Sequence, residues 1–159
     1  MSKLIAGLIV LFIFPTAFAQ ISGGQQTATV TLTVAQLQAL RENPVVLVPA
    51  PGAGNAINPI SGTLQYNFVM QHYAGGHGRF IITLGSFDSP NPMDVFDDVL
   101  TTGFTDQDSD QTVTVQGYPP DASLNVNNLD LEIINFGPPL IDGNGTVTVT
   151  VNYTIVPAP

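Results

Sequence analysis

Val147, Val149, Val151, Tyr153 and Ile155 alternate with Thr148, Thr150, Asn152 and Thr154. A period of two over that length predicts a half-buried strand, apolar toward a core and hydroxylated toward water. Thr27-Ala28-Thr29-Val30-Thr31-Leu32 has the same rhythm and predicts the first strand. Val45 to Val48 reads as a compact buried strand. Ile57 and Ile60 lead into Leu64 to Met70, where Leu64, Tyr66, Phe68 and Met70 share a face. Phe80 to Leu84 and the pair Val113, Val115 predict further strands. Leu124 and Val126 face one way, and then the alternation slips by one residue. Leu129, Leu131 and Ile133 take the new phase, which predicts a bulge or bend near Asn127-Asn128.

The period changes in two places. Thr33 and Gln36 stand in capping-box spacing, with Leu32 and Leu37 placed as the flanking hydrophobic staple. This predicts a short helix, apolar along Leu37 and Leu40, that ends before Pro44. Asn91 as cap, Pro92 at the first helical position and Asp94 in the first turn predict a second helix to about Leu100. Pro49-Ala50-Pro51-Gly52-Ala53-Gly54, His72 to Gly78, Asp88 to Pro92, Tyr118-Pro119-Pro120, Gly137-Pro138-Pro139 and Asp142-Gly143-Asn144-Gly145 are turn or breaker segments. About seven to nine short strands between such turns, with one or two short helices and no βαβ rhythm, predict an all-β fold. Its architecture is an antiparallel β-sandwich of jelly-roll or Greek-key type.

The first 19 residues are read apart from the fold. Lys3 precedes an apolar run from Leu4 to Phe14, Pro15 breaks it, and Ala17-Phe18-Ala19 has the small-x-small form cut by a signal peptidase. Residues 1–19 are therefore expected to be a secretory signal peptide, 20–26 a flexible polar lead, and 27–159 one domain. The apolar core is shorter than the about 20 residues a comfortable membrane span needs. The expected location after export is secreted or extracellular: periplasm, cell surface or virion.

Charge narrows the partners. With Lys3 gone, Arg41 and Arg79 face 12 carboxylates, a formal charge of −10. Such a surface repels phosphate backbones and anionic lipid, so neither nucleic acid nor membrane is an expected partner. Charged residues are only 9% of the chain, against about 25% in ordinary soluble domains. Thr, Asn, Gln and Ser must cover most of the exterior. The absence of cysteine excludes thiol nucleophiles, zinc–thiolate sites and disulfides.

Several segments carry a resemblance: LTVAQLQAL and PVVLVPAPGAG between Leu32 and Gly54, the YAGG turn at Tyr73, and TTGFTDQDSD from Thr101. LNVNNLDLEI from Leu124 and GNGTVTVTVNYTIV from Gly143 complete it. In this order they resemble a family of small, largely uncharacterised β-sandwich proteins of tailed phages and prophages, taken to be virion-associated. The resemblance implies a role in assembly or surface contact and brings no catalytic residues. Asn55 stands where members of that family tend to carry Lys.

Candidate chemistry is sparse. Asp106, Asp108 and Asp110 place three carboxylates at alternate positions, the arrangement by which loops turn oxygens toward calcium. The EF-hand template asks for Gly at position six and Glu at twelve, where this chain has Gln111 and Gly117, so the loop is not an EF-hand. Calcium is the only cofactor left open. His72 and His77 lack a third ligand in sequence. No serine sits in a GxSxG elbow, and Gly52 to Asn55 lacks the Lys of a phosphate loop. Tyr73 and Tyr118 fall in turns and are the expected exposed rings for a sugar, while Tyr66 and Tyr153 fall in core phase.

The expectation is therefore an exported, non-enzymatic structural or adhesive protein that self-associates or meets other surface or virion proteins. Its contact surfaces are expected at the Thr-covered faces of 27–33 and 146–154. The alternative is a calcium-assisted carbohydrate-binding module with glycans as partners.

Overall fold

A computed structural model describes residues 23–74, 79–86, 93–96, 103–119 and 123–158. The expected signal peptide, residues 20–22 of the expected lead and His77 lie outside the described residues.

Among the described residues, eight strands and one helix make the fold: β1 (Gln26–Leu32), α1 (Val34–Ala39), β2 (Val45–Val48), β3 (Asn55–Asn67), β4 (Phe80–Leu84), β5 (Met93–Asp94), β6 (Gln111–Gln116), β7 (Leu131–Asn135) and β8 (Thr146–Pro157). They form two four-stranded antiparallel sheets, ordered β1-β8-β3-β6 and β2-β7-β4-β5. The pairs β1·β8, β2·β7, β3·β6 and β4·β5 are nested like one long hairpin folded at β4–β5. Rolling that hairpin adds the contacts β3·β8 and β4·β7. This is the jelly roll, a double-sheet sandwich of eight strands.

The core between the sheets is built from the apolar phases read in the sequence. Val147, Val149, Val151, Tyr153 and Ile155 of β8 pack with Leu64 and Tyr66 of β3 and with Leu131 and Ile133 of β7. Helix α1 begins as its sequence dictates. Thr33 accepts from the Gln36 N–H at 3.4 Å, the Gln36 side chain accepts from the Thr33 N–H at 3.0 Å, and Leu32, Leu37 and Leu40 are buried.

Pro59 lies inside β3, where a proline removes a ladder donor. The strand tolerates it by bulging between Pro59 and Ser61, which leaves Ile60 as the extra residue. The Ile60 carbonyl then accepts from the Gly117 N–H (2.9 Å) and from Gln116 Nε2 (2.8 Å).

Three expectations are corrected. The helix expected from Asn91 to Leu100 does not form across its described part: Met93 and Asp94 pair with Leu84 and Thr83, and Phe96 bridges to Gly117. Pairing with a waiting strand outweighs the local cap signal, and Phe96 fills the space over Gly62, where a Cβ would come within 3.3 Å of its ring. Met70, expected to continue the inward face of β3, is 80% exposed because the strand stops at Asn67. No strand forms over Leu124 and Val126. The bend expected at Asn127-Asn128 does occur, with Asn128 at φ 58°. Its side chains latch the Pro49–Gly54 loop: Gly52 N–H donates to Asn128 Oδ1 and Gly54 N–H to Asn127 Oδ1, both at 2.8 Å.

Candidate functional site: a charge-free sheet face

The strands of the β1-β8-β3-β6 sheet contain no Asp, Glu, Lys or Arg. Because β8 pairs on both sides and β3 passes the register on to β6, their outward residues line up in rows. Thr29, Thr150, Thr63 and Thr114 form one row across all four strands. Thr31, Thr148, Gln65 and Thr112 form the next, and Thr27, Asn152, Ser61 and Gln116 the row on the other side. Each of these residues is exposed or partly exposed. Rows are two residues apart, about 6.8 Å along a strand, and neighbouring strands are about 4.8 Å apart.

Hydrogen bonds fix the side chains within the rows. The hydroxyls of Thr29 and Thr150 are 3.1 Å apart, as are those of Thr31 and Thr148. Thr27 Oγ1 donates to Asn152 Oδ1 (2.7 Å), and Asn152 Nδ2 donates on to Ser61 Oγ (3.1 Å). Asn58 and Asn67 of β3 extend the pattern by donating to Thr154 and Thr146 of β8. Cross-strand pairs of this kind each contribute about 0.2–1 kcal/mol. The result is an ordered field of hydroxyl and amide groups with no formal charge. It offers hydrogen bonds and surface contact and contains no proton donor or acceptor tuned for acid–base work.

The acidic loop has a different fate. His72 joins Asp108 through Nδ1 at 2.7 Å and approaches Asp106 through Nε2 at 3.5 Å. The Asp108 hydrogen bond is the main reason the imidazole is held above its ordinary pKa. Asp110 Oδ1 accepts from the Phe68 N–H at 2.9 Å, tying the loop to the end of β3. Among the described residues, no three His, Asp or Glu side chains converge as a metal site. Asp106, Asp108 and Asp110 are thus brought near one another, but around a histidine and a backbone amide.

The two expected sugar rings part company. Tyr118 is 44% exposed, in keeping with its turn. Tyr73 is corrected: it is 1% exposed, and its hydroxyl donates to the Gly145 carbonyl at 2.7 Å. Burial, with Tyr66 adding to it, pushes this phenol up to about 12. Gly143 allows that burial, since a Cβ there would lie 2.3 Å from the Tyr73 ring. The glycines of the 142–145 turn are the signal in the sequence that a ring could lie against them.

Sequence reasoning missed one concave feature, a cavity of about 360 Å³ lined by Arg41, Glu42, Pro44, Ser86, Ile134, Asn135 and Phe136. Its polar groups are already engaged in holding the chain together. Arg41 donates to the Gly137 carbonyl (2.8 Å) and lies 3.6 Å from Glu42. Asn135 Oδ1 accepts from the Arg79 and Gly137 N–H groups, and its Nδ2 donates to the Pro138 carbonyl. Arg79 stacks over Phe136 at 5.4 Å.

No family model matches the chain. No curated protein matches it. Among solved structures, it is similar to a chain of the capsid asymmetric unit of cyanophage Pam1. The TM-score is 0.51 and the identity 14%, over 94% of this chain and 93% of that one. At that identity the likeness shows the fold alone.

Proposed function

We propose that this protein is an exported, virion-associated structural component that carries no catalysis and works by contact, associating with copies of itself or with other surface or virion proteins. The observation that carries the reading is the charge-free outer face of the β1-β8-β3-β6 sheet on a chain with a formal charge of −9. Carboxylates placed elsewhere keep the molecule soluble, and this face meets a neighbour without like-charge repulsion. The shared fold with a capsid chain of cyanophage Pam1 is in keeping with such a role. The reading is tested by light scattering on the purified protein over rising concentration, together with mass spectrometry of particles purified from the producing culture. A strict monomer that is absent from the particles would remove it. The calcium-assisted glycan reading keeps Tyr118 as its exposed ring but loses Tyr73, and no contact described above favours it.

A further inference from the structure

A jelly roll has four edge strands, and unprotected edges invite pairing with another chain. Three of the four are guarded here. The β2 edge is four residues long, flanked by Pro44 and Pro49 and bulged between Val46 and Val48. The β5 edge has two residues, one of them Asp94. Beyond the end of β6, Phe96 bridges to Gly117 and the Tyr118 N–H donates to the Val95 carbonyl at 2.8 Å, while Asp110 stands at its start. β1 has none of these devices. It runs for seven residues, Gln-Thr-Ala-Thr-Val-Thr-Leu, with no proline, glycine, charge or bulge, and pairs with β8 in unbroken register. Among the described residues nothing pairs with its outer edge.

We propose that the β1 edge binds the β1 edge of a second copy, antiparallel about a two-fold axis through Thr29. This rests on the self-association reading above and names its surface. In that register Thr29 meets its own counterpart, Thr27 meets Thr31, and Ala28 meets Val30. All three threonines stay on the outer face and the apolar residues on the inner one, because the paired residues have the same parity. The Thr–Thr pairs already made with β8 at 3.1 Å are repeated across the new seam. An isologous pairing of this kind closes on itself as a dimer. It joins two sheets into one of eight strands, within the range open sheets reach, and continues the hydroxyl rows from one copy into the next. The second copy is the favoured occupant because the sheet brought to the seam carries no charge on any strand, so two acidic molecules approach there without opposing carboxylates.

The chain has no cysteine, so single-cysteine variants of the full chain report the register directly. Thr29→Cys is expected to cross-link two copies on mild oxidation, since directly opposed Cβ atoms lie about 4.5–5.5 Å apart and a disulfide needs only a small approach from there. Thr27→Cys, moved from the axis, and Thr114→Cys, on the other edge of the same sheet, are expected not to. Thr29→Glu, which sets two carboxylates face to face, is expected to raise the dimer dissociation constant at least about tenfold. Thr114→Glu adds the same charge away from the seam and leaves dimerisation unchanged. Circular dichroism of each variant separates a lost dimer from a lost fold, and the cysteine variants decide the matter if Thr29→Glu does not fold. Self-association that persists in Thr29→Glu, without a Thr29→Cys cross-link, overturns the β1 seam and leaves the self-association reading standing. A wild-type monomer at every concentration overturns both.

Discussion

On the β1-β8-β3-β6 sheet the outward positions within 27–31, 61–67, 112–116 and 146–154 are Thr, Ser, Asn and Gln in contact with water, whereas on the β2-β7-β4-β5 sheet the outward Ile81, Thr83 and Ile134 are buried. The first sheet has strands of 7, 12, 13 and 6 residues and no charge; the second has strands of 4, 5, 5 and 2 residues and carries Asp94 and Glu132. Both close on one core. The difference shows how a jelly roll divides its labour. One sheet has much of its outer face covered as well, at Ile81, Thr83 and Ile134, while Val46 stays exposed at its edge. The other keeps a regular outer face of hydroxyl and amide groups in contact with water and carries no charge on any strand.

Placing a charge on each outer face is the sharpest way to break this comparison. Ile134→Glu puts an unpaired carboxylate into a buried position and is expected to cost about 3–5 kcal/mol, or to prevent folding. Thr63→Glu, in the middle of the hydroxyl rows, is expected to change stability by less than about 0.5 kcal/mol. Urea denaturation of the two variants beside the wild type measures both. Equal costs would mean that the two faces are equally covered.

Alkaline pH probes the tyrosines around the core. Burial raises Tyr73 to about 12 and also raises Tyr66 and Tyr153. A raised phenol favours the neutral form in the folded state, so its contribution is fully present below the unfolded value of 10. It is lost as pH climbs through the folded value. The urea midpoint is expected to hold from pH 7 to 9 and to fall steeply between pH 10 and 12.

Tyr66 and Tyr73, whose ring centroids are 6.2 Å apart, should respond to the same substitution with opposite signs. Tyr73→Phe removes the hydroxyl that satisfies the Gly145 carbonyl and is expected to cost about 1 kcal/mol. The buried Tyr66 hydroxyl has no hydrogen-bond partner among the described residues, so Tyr66→Phe is expected to be neutral or to stabilise by up to about 1 kcal/mol. Thermal unfolding of the pair gives the two signs directly. A loss of stability in Tyr66→Phe would show that its hydroxyl is satisfied in solution.

The smallest expected effect sharpens the contrast on the covered sheet. Glu132 is raised by burial and by neighbouring Asp130. Its ionised form therefore weakens the fold at neutral pH, and the penalty fades as pH falls through the folded pKa toward the unfolded value of 4.5. Glu132→Gln is expected to stabilise by a few tenths of a kcal/mol at pH 7, the scale of a largely solvated charge. The gain should vanish near pH 4. No comparable carboxylate exists on the other sheet, so its stability should show no such step.

How much was legible follows from where water touches the chain. β8 and β1 alternate cleanly because one face is wet and one is dry, and the reading of each strand holds nearly to the residue. Phe80 to Leu84 is buried at all five positions. It appears in sequence as a plain apolar run, recognisable as a strand by length but silent about which side faces the core. The capping box at Thr33 and the bend at Asn127-Asn128 were legible because a few adjacent residues decide them. Residues 93–96 were misread as helix because their cap signals are local and the strands that capture them are not. Tyr73 was misread as exposed because a turn residue is usually wet. Here two glycines some 70 positions on make room for its ring and accept its hydroxyl.

The amino-acid sequence by itself determined the phases of the half-wet strands: which side chains of β1 and β8 go inward, where the chain turns next to them, and that no charge falls on β1, β3, β6 or β8. Such features depend on residues one to four positions apart, within reach of local sterics and the hydrophobic pattern. Only the tertiary structure decided that Thr29, Thr150, Thr63 and Thr114 form a single row, that among the described residues nothing pairs with the outer edge of β1, and that the acidic loop meets a histidine. Those depend on partners such as Thr29 and Thr150, 121 positions apart, whose meeting is set by the rolling of the whole sandwich rather than by either segment alone.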